Sequence, residues 1–344
     1  MAPVPNPRYL FLASPAGWPD LSKDFQYDDS RTIDPDTVEL NGGFITKTQF
    51  LSVDPYMRGR MNAGTFMAWQ PGEPWTGFGI CEVLRSETPE FQKGDTIYGH
   101  LPFEHYTVHC IESAHANMFR VIKNTENIPL SVYLGVAGLP GKTGYYGLKA
   151  IGEPKAGESI YVSTAAGVVG TVVCQIAKEW GLRVLGSTGS DEKVKFLQED
   201  VGIDAFNYKT SCVDEAIKDF GGLDIYWDNV GAEMLDTALI NMNHRGRIVI
   251  CGHIAEYNVP DEKKRGIKHT WEMVYKEIRM QGLYVFSYEE QYADEFYATV
   301  PKMVAEGKLK YTEDITVGLE HAGELLMSVL KGQNTGKAIL QMYP

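Results

Sequence analysis

Cysteine is scarce and unpatterned in this chain. Five occur among 344 residues, Cys81, Cys110, Cys174, Cys212 and Cys251, an odd count with no C-x-x-C spacing. Neither a disulfide framework nor a cysteine-rich zinc lobe fits that distribution, so reduced, mostly buried thiols are expected. Basic residues are outnumbered too: 32 Lys and Arg against 45 Asp and Glu leave a net charge of −13. Such a chain is repelled by phosphate backbones and anionic lipid, which argues against nucleic acid or a membrane as partner. No apolar run approaches the length of a membrane span, and Met1 to Ser14 lacks the cationic start and long apolar centre of a signal peptide. A cytoplasmic protein is expected. The eight histidines show no metal-ligand spacing, and no Ser/His/Asp order or carboxylate pair calls for hydrolytic chemistry.

What is present is organised around Ser159 to Asn207. Ile160-Tyr161-Val162 is a short apolar run suited to a buried strand. A small-residue turn follows, Ala165-x-Gly167-x-x-Gly170, and then Val172, Val173, Ile176 and Ala177 recur at helical spacing. Gly181 stands where a helix end takes a residue at positive φ. Leu182 to Leu185 reads as a second strand. Strand, glycine turn, helix and strand make a βαβ unit, the context a dinucleotide fingerprint requires. Small residues let backbone approach a pyrophosphate, and the helix N-terminus favours its charge. A glycine-rich loop opening an ordinary α/β helix is the plain alternative.

The second strand's end distinguishes the cofactors. An NAD site places a carboxylate about 20 residues past the fingerprint to bond the ribose 2′-hydroxyl. Here Gly186-Ser187-Thr188-Gly189-Ser190 stands in that region, followed by Lys193, with Tyr208-Lys209 beyond the next strand. Hydroxyls and a lysine suit a 2′-phosphate, so NADP(H) is expected, with Ser190, Lys193 and Tyr208 on that side. Asp191 and Glu192 fit the first turn of a helix.

Elsewhere the texture is of two kinds. Residues 1–128 hold short β-type segments, Tyr9 to Leu12, Val38 to Leu40, Phe44 to Val53, Gly79 to Leu84, Thr96 to Gly99 and Phe103 to His109, punctuated by Gly, Pro and Asp. Residues 129–305 alternate strand and helix. The predicted strands are Ile160 to Val162, Arg183 to Leu185, Ala205 to Asn207, Asp224 to Trp227, Arg247 to Cys251 and Gly282 to Phe286. Helical patterns cover Lys193 to Glu199, Glu233 to Met242 and Tyr292 to Gly307. A β-like tail, residues 306–344, includes Ile315 to Val317 and Ala338 to Met342. The fold class is α/β: a doubly wound parallel sheet with a β-rich second domain.

LSVDPYMRGRM (51–61), GLPGKTGYYGL (138–148), STAAGVVGTVVCQIAK (163–178), GSDEKV (189–194), NYKT (207–210), DNVG (228–231), GRIVICGHIAEYN (246–258) and GQNTGK (332–337) occur in this order. Together they resemble the zinc-independent medium-chain dehydrogenase/reductases, in the NADP-dependent alkenal/one oxidoreductase branch with the prostaglandin, leukotriene and plant double-bond reductases. The resemblance covers nearly the whole chain. It implies a GroES-like catalytic domain over 1–128, a Rossmann domain over 129–305, a return to the catalytic domain over 306–344, and a homodimer. Zinc relatives carry a Cys near Asp54-Pro55 and Gly-His-Glu near Trp75-Thr76-Gly77; both are absent, so no metal is expected.

The implied reaction is NADPH-dependent reduction of the C=C bond of an α,β-unsaturated aldehyde or ketone, with hydride delivered to the β-carbon and an enolate stabilised and protonated. By resemblance, Gly167, Val168 and Gly170 line the pyrophosphate turn, Lys193 and Tyr208 meet the 2′-phosphate, Asn229 and Tyr257 lie near the nicotinamide, and Asn334 reaches back from the tail. Each has a plain alternative: Asn229 as a helix cap, Asn334 as a turn residue, Tyr257 as a surface tyrosine. Tyr257 is the candidate proton donor, since a phenol stays protonated at neutral pH. Tyr56 is a second candidate beside the substrate, though a packed turn explains it equally. Gly64 to Trp75 and Tyr284 to Tyr288 are aromatic enough to line an enone site or to pack a core or dimer. Two other functions stay open: a quinone oxidoreductase of the same fold, and a crystallin-like or trafficking protein that binds nucleotide without turnover. Gly144 stands where relatives often have Ala.

Overall fold

The computed structural model describes residues 3–65 and 67–344. Met1, Ala2 and Phe66 lie outside the described residues, so the reading of the chain's start and of Phe66 in the aromatic 64–75 stretch rests on sequence. Two compact units emerge, Gly135–Thr312 and a second made of Met1–Leu134 with Glu313–Pro344.

In Gly135–Thr312 the strands are β1 Ser159–Val162, β2 Arg183–Thr188, β3 Asp204–Asn207, β4 Leu223–Asp228, β5 Met242–Ile250 and β6 Arg279–Gly282. They form one parallel sheet in the order β3-β2-β1-β4-β5-β6. The helices are α1 Leu139–Gly147, α2 Val168–Glu179, α3 Asp191–Phe196, α4 Val213–Phe220, α5 Ala232–Asn241, α6 Trp271–Tyr275 and α7 Glu289–Ala305. Every residue of β1 is buried, as a strand covered on both faces must be. The chain leaves β1 toward β2 and returns on its other side at β4. That reversal opens the crevice outside the strands' carboxyl ends where doubly wound sheets bind ligands.

Gly144 has a packing reason. A Cβ there would lie 3.0 Å from a Val172 methyl and 3.2 Å from one of Val173, where α1 meets α2. On α1's other side, Lys142 Nζ donates to Glu289 Oε1 at 2.5 Å and fastens α7.

One expectation for this unit is corrected. The sixth strand is Arg279–Gly282, not Gly282 to Phe286, where Val285–Tyr288 forms a 3₁₀ turn. An edge strand keeps one side in water, so β6 is mostly exposed and carries no apolar run to announce it. The helix over Lys193 begins at Asp191, with Asp191 and Glu192 in its first turn as expected, and Ser190 takes the cap position: its Oγ accepts from the Lys193 N–H at 3.4 Å.

In the other unit, strands run in the order Glu313–Val317, Lys337–Gln341, Phe44–Ser52, Thr76–Ser86, Thr96–Pro102 and Arg120–Val121, with Tyr106–His109 also pairing Phe44–Ser52. The tail strand Lys337–Gln341 lies antiparallel to Phe44–Ser52, with Leu340 opposite Leu51. Val38 to Leu40 is irregular rather than a strand, following the turn at Pro35 to Thr37; there Val38 accepts hydrogen bonds from Arg85 through its carbonyl. Trp69 and Trp75 stack at 4.7 Å inside an aromatic core with Tyr9, Phe11, Phe25 and Phe103. They fill that core rather than face a ligand. Beside them Arg60 is buried and bonded through Nε to the Met67 carbonyl, through Nη1 to the Thr76 carbonyl, and through Nη1 to His100 Nε2 at 2.8 Å. Arginine only donates, so His100 Nε2 is the acceptor and its imidazole is neutral. A second buried histidine, His109, shares a 2.9 Å hydrogen bond with Thr46.

The expectation for the cysteines holds in part. Cys81 and Cys174 are buried and Cys251 is half-buried, but Cys110 and Cys212 are exposed, each standing at the surface just before a short helix.

Candidate nucleotide site

The turn after β1 is shaped by contact more than by side-chain chemistry. Thr164 takes the left-handed conformation at φ 54°, sparsely populated for a residue with a Cβ, and reverses the chain. Ala165 N–H donates to the Ser187 carbonyl at 2.9 Å, and Thr171 Oγ1 donates to the Ala165 carbonyl at 3.0 Å. Gly167 is the extended cap of α2. A Cβ on Gly170 would fall 2.4 Å from the Thr164 carbonyl oxygen and 2.8 Å from the Ala165 Cα. Only glycine lets α2 seat against its own turn. The twelve-residue helix then presents first-turn N–H groups that have no partner within it.

At the carboxyl ends of β2 and β3, a second cluster forms. A Cβ on Gly189 would lie 3.1 Å from the Tyr208 hydroxyl and 3.2 Å from Lys209 Cε, so both side chains lie against this glycine. Tyr208 is 42% exposed. Lys193 is half-buried, and burial followed by the nearby Lys209 ammonium lowers its pKa. Two cations and two hydroxyls, from Ser190 and Tyr208, therefore share one surface. Ser187 and Thr188 do not join them: both are buried, and Ser187 is bonded to the Tyr161 hydroxyl at 2.8 Å. Asp191 is occupied, its Oδ1 accepting from Asn207 Nδ2 at 2.7 Å.

At the ends of β4 and β5 the polar groups are bonded to one another. Asn229 Nδ2 donates to the Ser163 carbonyl at 2.6 Å, Oδ1 accepts from Trp227 Nε1 at 3.2 Å, and the backbone N–H donates to Ser163 Oγ at 3.0 Å. Asn229 thus ties the end of β1 to the end of β4. Tyr257 is half-buried, its ring edge-on to His253 at 4.7 Å. Its hydroxyl lies 3.1 Å from the point where a Gly252 Cβ would stand. Burial first, then Cys251, push the phenol up to about 12, so it is a proton holder at neutral pH.

Sequence reasoning passed over Asp228. It is fully buried, and Oδ1 accepts from the Tyr226 hydroxyl at 2.8 Å and from the Val230 and Gly231 N–H groups at 3.0 and 2.8 Å. Oδ2 has no hydrogen-bond partner among the described residues. Burial raises its pKa against those bonds. The signal was there: an Asp ending an apolar strand before Asn-Val-Gly forms an Asx turn. Lys209 and Asn207 were likewise left without roles.

Gly167, Val168, Gly170, Ser190, Lys193, Tyr208, Asn229 and Tyr257 all belong to Gly135–Thr312, at the carboxyl ends of its parallel strands or the turns that leave them. Tyr56 and Asn334 belong to the other unit. Lys337, from GQNTGK, donates to the Val53 carbonyl at 2.9 Å and to Asp54 Oδ1 at 2.8 Å, joining that motif to LSVDPYMRGRM. The Tyr56 hydroxyl is buried without a hydrogen-bond partner among the described residues. Burial and Asp54 hold it protonated, opposed by Arg60. Asn334 Nδ2 donates to the Gly336 carbonyl at 2.8 Å, closing its turn. Among the described residues no three His, Cys, Asp or Glu side chains gather as a metal-ligand set.

Comparison with known proteins places the chain in a family. The family described as zinc-binding dehydrogenase matches residues 168–303, and that described as the N-terminal domain of oxidoreductase matches 8–117. The chain is similar to 2-alkenal reductase (NADP(+)-dependent) of Nicotiana tabacum, at 40% identity over 90% of each chain. It is similar to (+)-pulegone reductase of Mentha piperita, at 39% over 87% of this chain and 88% of the relative. Its fold is similar to that of CurA from Vibrio vulnificus solved in complex with NADPH, with 30% identity, a TM-score of 0.87 and coverage of 98% and 99%. The chain belongs to the medium-chain dehydrogenase/reductase family, in the branch of the NADP-dependent alkenal and double-bond reductases.

Proposed function

We propose that this protein is an NADPH-dependent reductase of the C=C bond of α,β-unsaturated aldehydes and ketones. The observation that carries the cofactor is the cluster of Lys193, Lys209, Tyr208 and Ser190 beside a turn that glycine alone can close. NADPH fits these residues: the Gly167–Gly170 cradle accepts a pyrophosphate, and two ammonium groups with two hydroxyls accept a 2′-phosphate. When bound, the cofactor supplies a hydride. The chain's own residues bind, orient and hold a proton. Tyr257 keeps its proton to about 12 and donates it, or a hydrogen bond, to the substrate oxygen on which enolate charge develops.

The substrate class rests on the relatives' names, 2-alkenal reductase and pulegone reductase. We propose the cytoplasm as the compartment, in keeping with five free cysteines, two of them exposed. A second copy of the chain pairing along the β6 edge is the proposed partner. That edge is mostly exposed and stands near Trp271, Val274 and Tyr275, which are 68%, 63% and 73% exposed. The test is an acceptor screen with NADPH and product identification. A saturated carbonyl from an enal supports the reading. An allylic alcohol, or turnover of quinones alone, overturns it.

A further inference from the structure

A carboxylate adjoining the cationic cluster is bonded to a side-chain amide. Asp191 opens α3, immediately after Ser190. Asn207, the last residue of β3 and only 9% exposed, reaches it with Nδ2 at 2.7 Å, the length of a charge-assisted bond. The same side chain accepts the Lys209 backbone N–H through Oδ1 at 3.1 Å. One amide therefore touches both the acid and the residue that carries the second cation. Asp191 is exposed, so its carboxylate has room to turn once that amide is gone.

We propose that Asn207 is a positioning residue for cofactor choice, holding the Asp191 carboxylate away from Lys193 and Lys209 so that their charge is kept for a phosphate dianion. The inference rests on the reading of this cluster as the 2′-phosphate site. Without the Asn207 amide, Asp191 is drawn to the lysines, neutralises part of their charge and repels the phosphate. NADH, which carries a hydroxyl in that place, is spared the repulsion. A carboxylate freed toward a ribose is the arrangement that NAD sites use.

The test measures Kd for NADPH and for NADH by fluorescence titration on the full chain, with thermal melts to confirm folding. Asn207→Ala is expected to weaken NADPH about tenfold, the scale of a close like-charge contact near a surface, and to leave NADH within about twofold. Adding Asp191→Asn to that variant is expected to restore most of the NADPH affinity. Losing the bond to the Lys209 backbone would not be repaired that way, so the rescue separates the carboxylate's effect from a merely structural one. Asp191→Asn alone keeps an acceptor for Asn207 and is expected to leave the NADPH preference intact. Equal weakening of both cofactors, or failure of the rescue, overturns the proposal. If the unaltered chain binds NADPH no better than NADH, the phosphate-site reading falls first and this inference with it.

Discussion

At the β2–β3 end of the nucleotide site, Tyr208 is 42% exposed, Lys209 is exposed and Lys193 is half-buried. At the β4 end, Asp228 is fully buried, and Asn229 is bonded through both side-chain atoms to Ser163 and Trp227. The first end holds its side chains out on a surface, where charge can be altered with little effect on the sheet. The second joins neighbouring strands, so its polar groups set the shape of the crevice. On the proposed reading, cofactor preference is written in exchangeable side chains, and the position of the reacting ring in groups whose loss disturbs the strands themselves.

The most severe way to break that contrast is to close the turn that serves both ends. Gly170→Val places side-chain carbon against the Thr164 carbonyl, and Kd for NADPH and NADH alike is expected to rise about a hundredfold or more in a fluorescence titration. A selective effect on one cofactor would detach this glycine from the shared pyrophosphate. Next in size is Tyr257→Phe, which removes the proposed proton donor and leaves the ring. Turnover is expected to fall about a hundredfold in steady-state assays, with NADPH affinity nearly unchanged. Because the phenol is active below its pKa of about 12, the unaltered enzyme is expected to show no loss of this donor between neutral pH and about pH 10. A turnover limb falling near pH 8 would point to another group. Smaller and more selective is Lys193→Ala, expected to weaken NADPH by about 1.5–3 kcal/mol relative to NADH. Equal loss for both would remove it from the phosphate site.

Much of this was legible because the parallel sheet is buried. Ile160-Tyr161-Val162 and the end of β4 are apolar runs that a doubly covered strand demands, and Gly181 marks a helix end at φ 84°. What escaped has a common cause: the deciding partner lies far along the chain. β6 is polar because it is an edge, so the apolar 283–286 segment drew the assignment instead. Trp69 and Trp75 look like a ligand lining until the stacking on each other and on Tyr9, Phe11, Phe25 and Phe103 is seen. Asp191 looked like an awkward acid beside a phosphate site until Asn207, sixteen residues on, was found holding it. The glycine turn needed no such partner, since its steric demand falls on residues within six positions of one another.

The neutral histidines of the β-rich unit have a bearing on handling the protein. Burial, with Arg60 adding to it at His100, brings the pKa of His100 to about 3, and burial alone brings that of His109 to about 4. An unfolded histidine takes a proton near ~6.5, so below that value the denatured chain gains protons the native one refuses. Each pH unit then costs about 1.4 kcal/mol of stability per histidine until the native value is reached. The urea midpoint is therefore expected to hold steady above pH 7 and slide between pH 6 and 4. Acid precipitation or low-pH elution would open this unit from within.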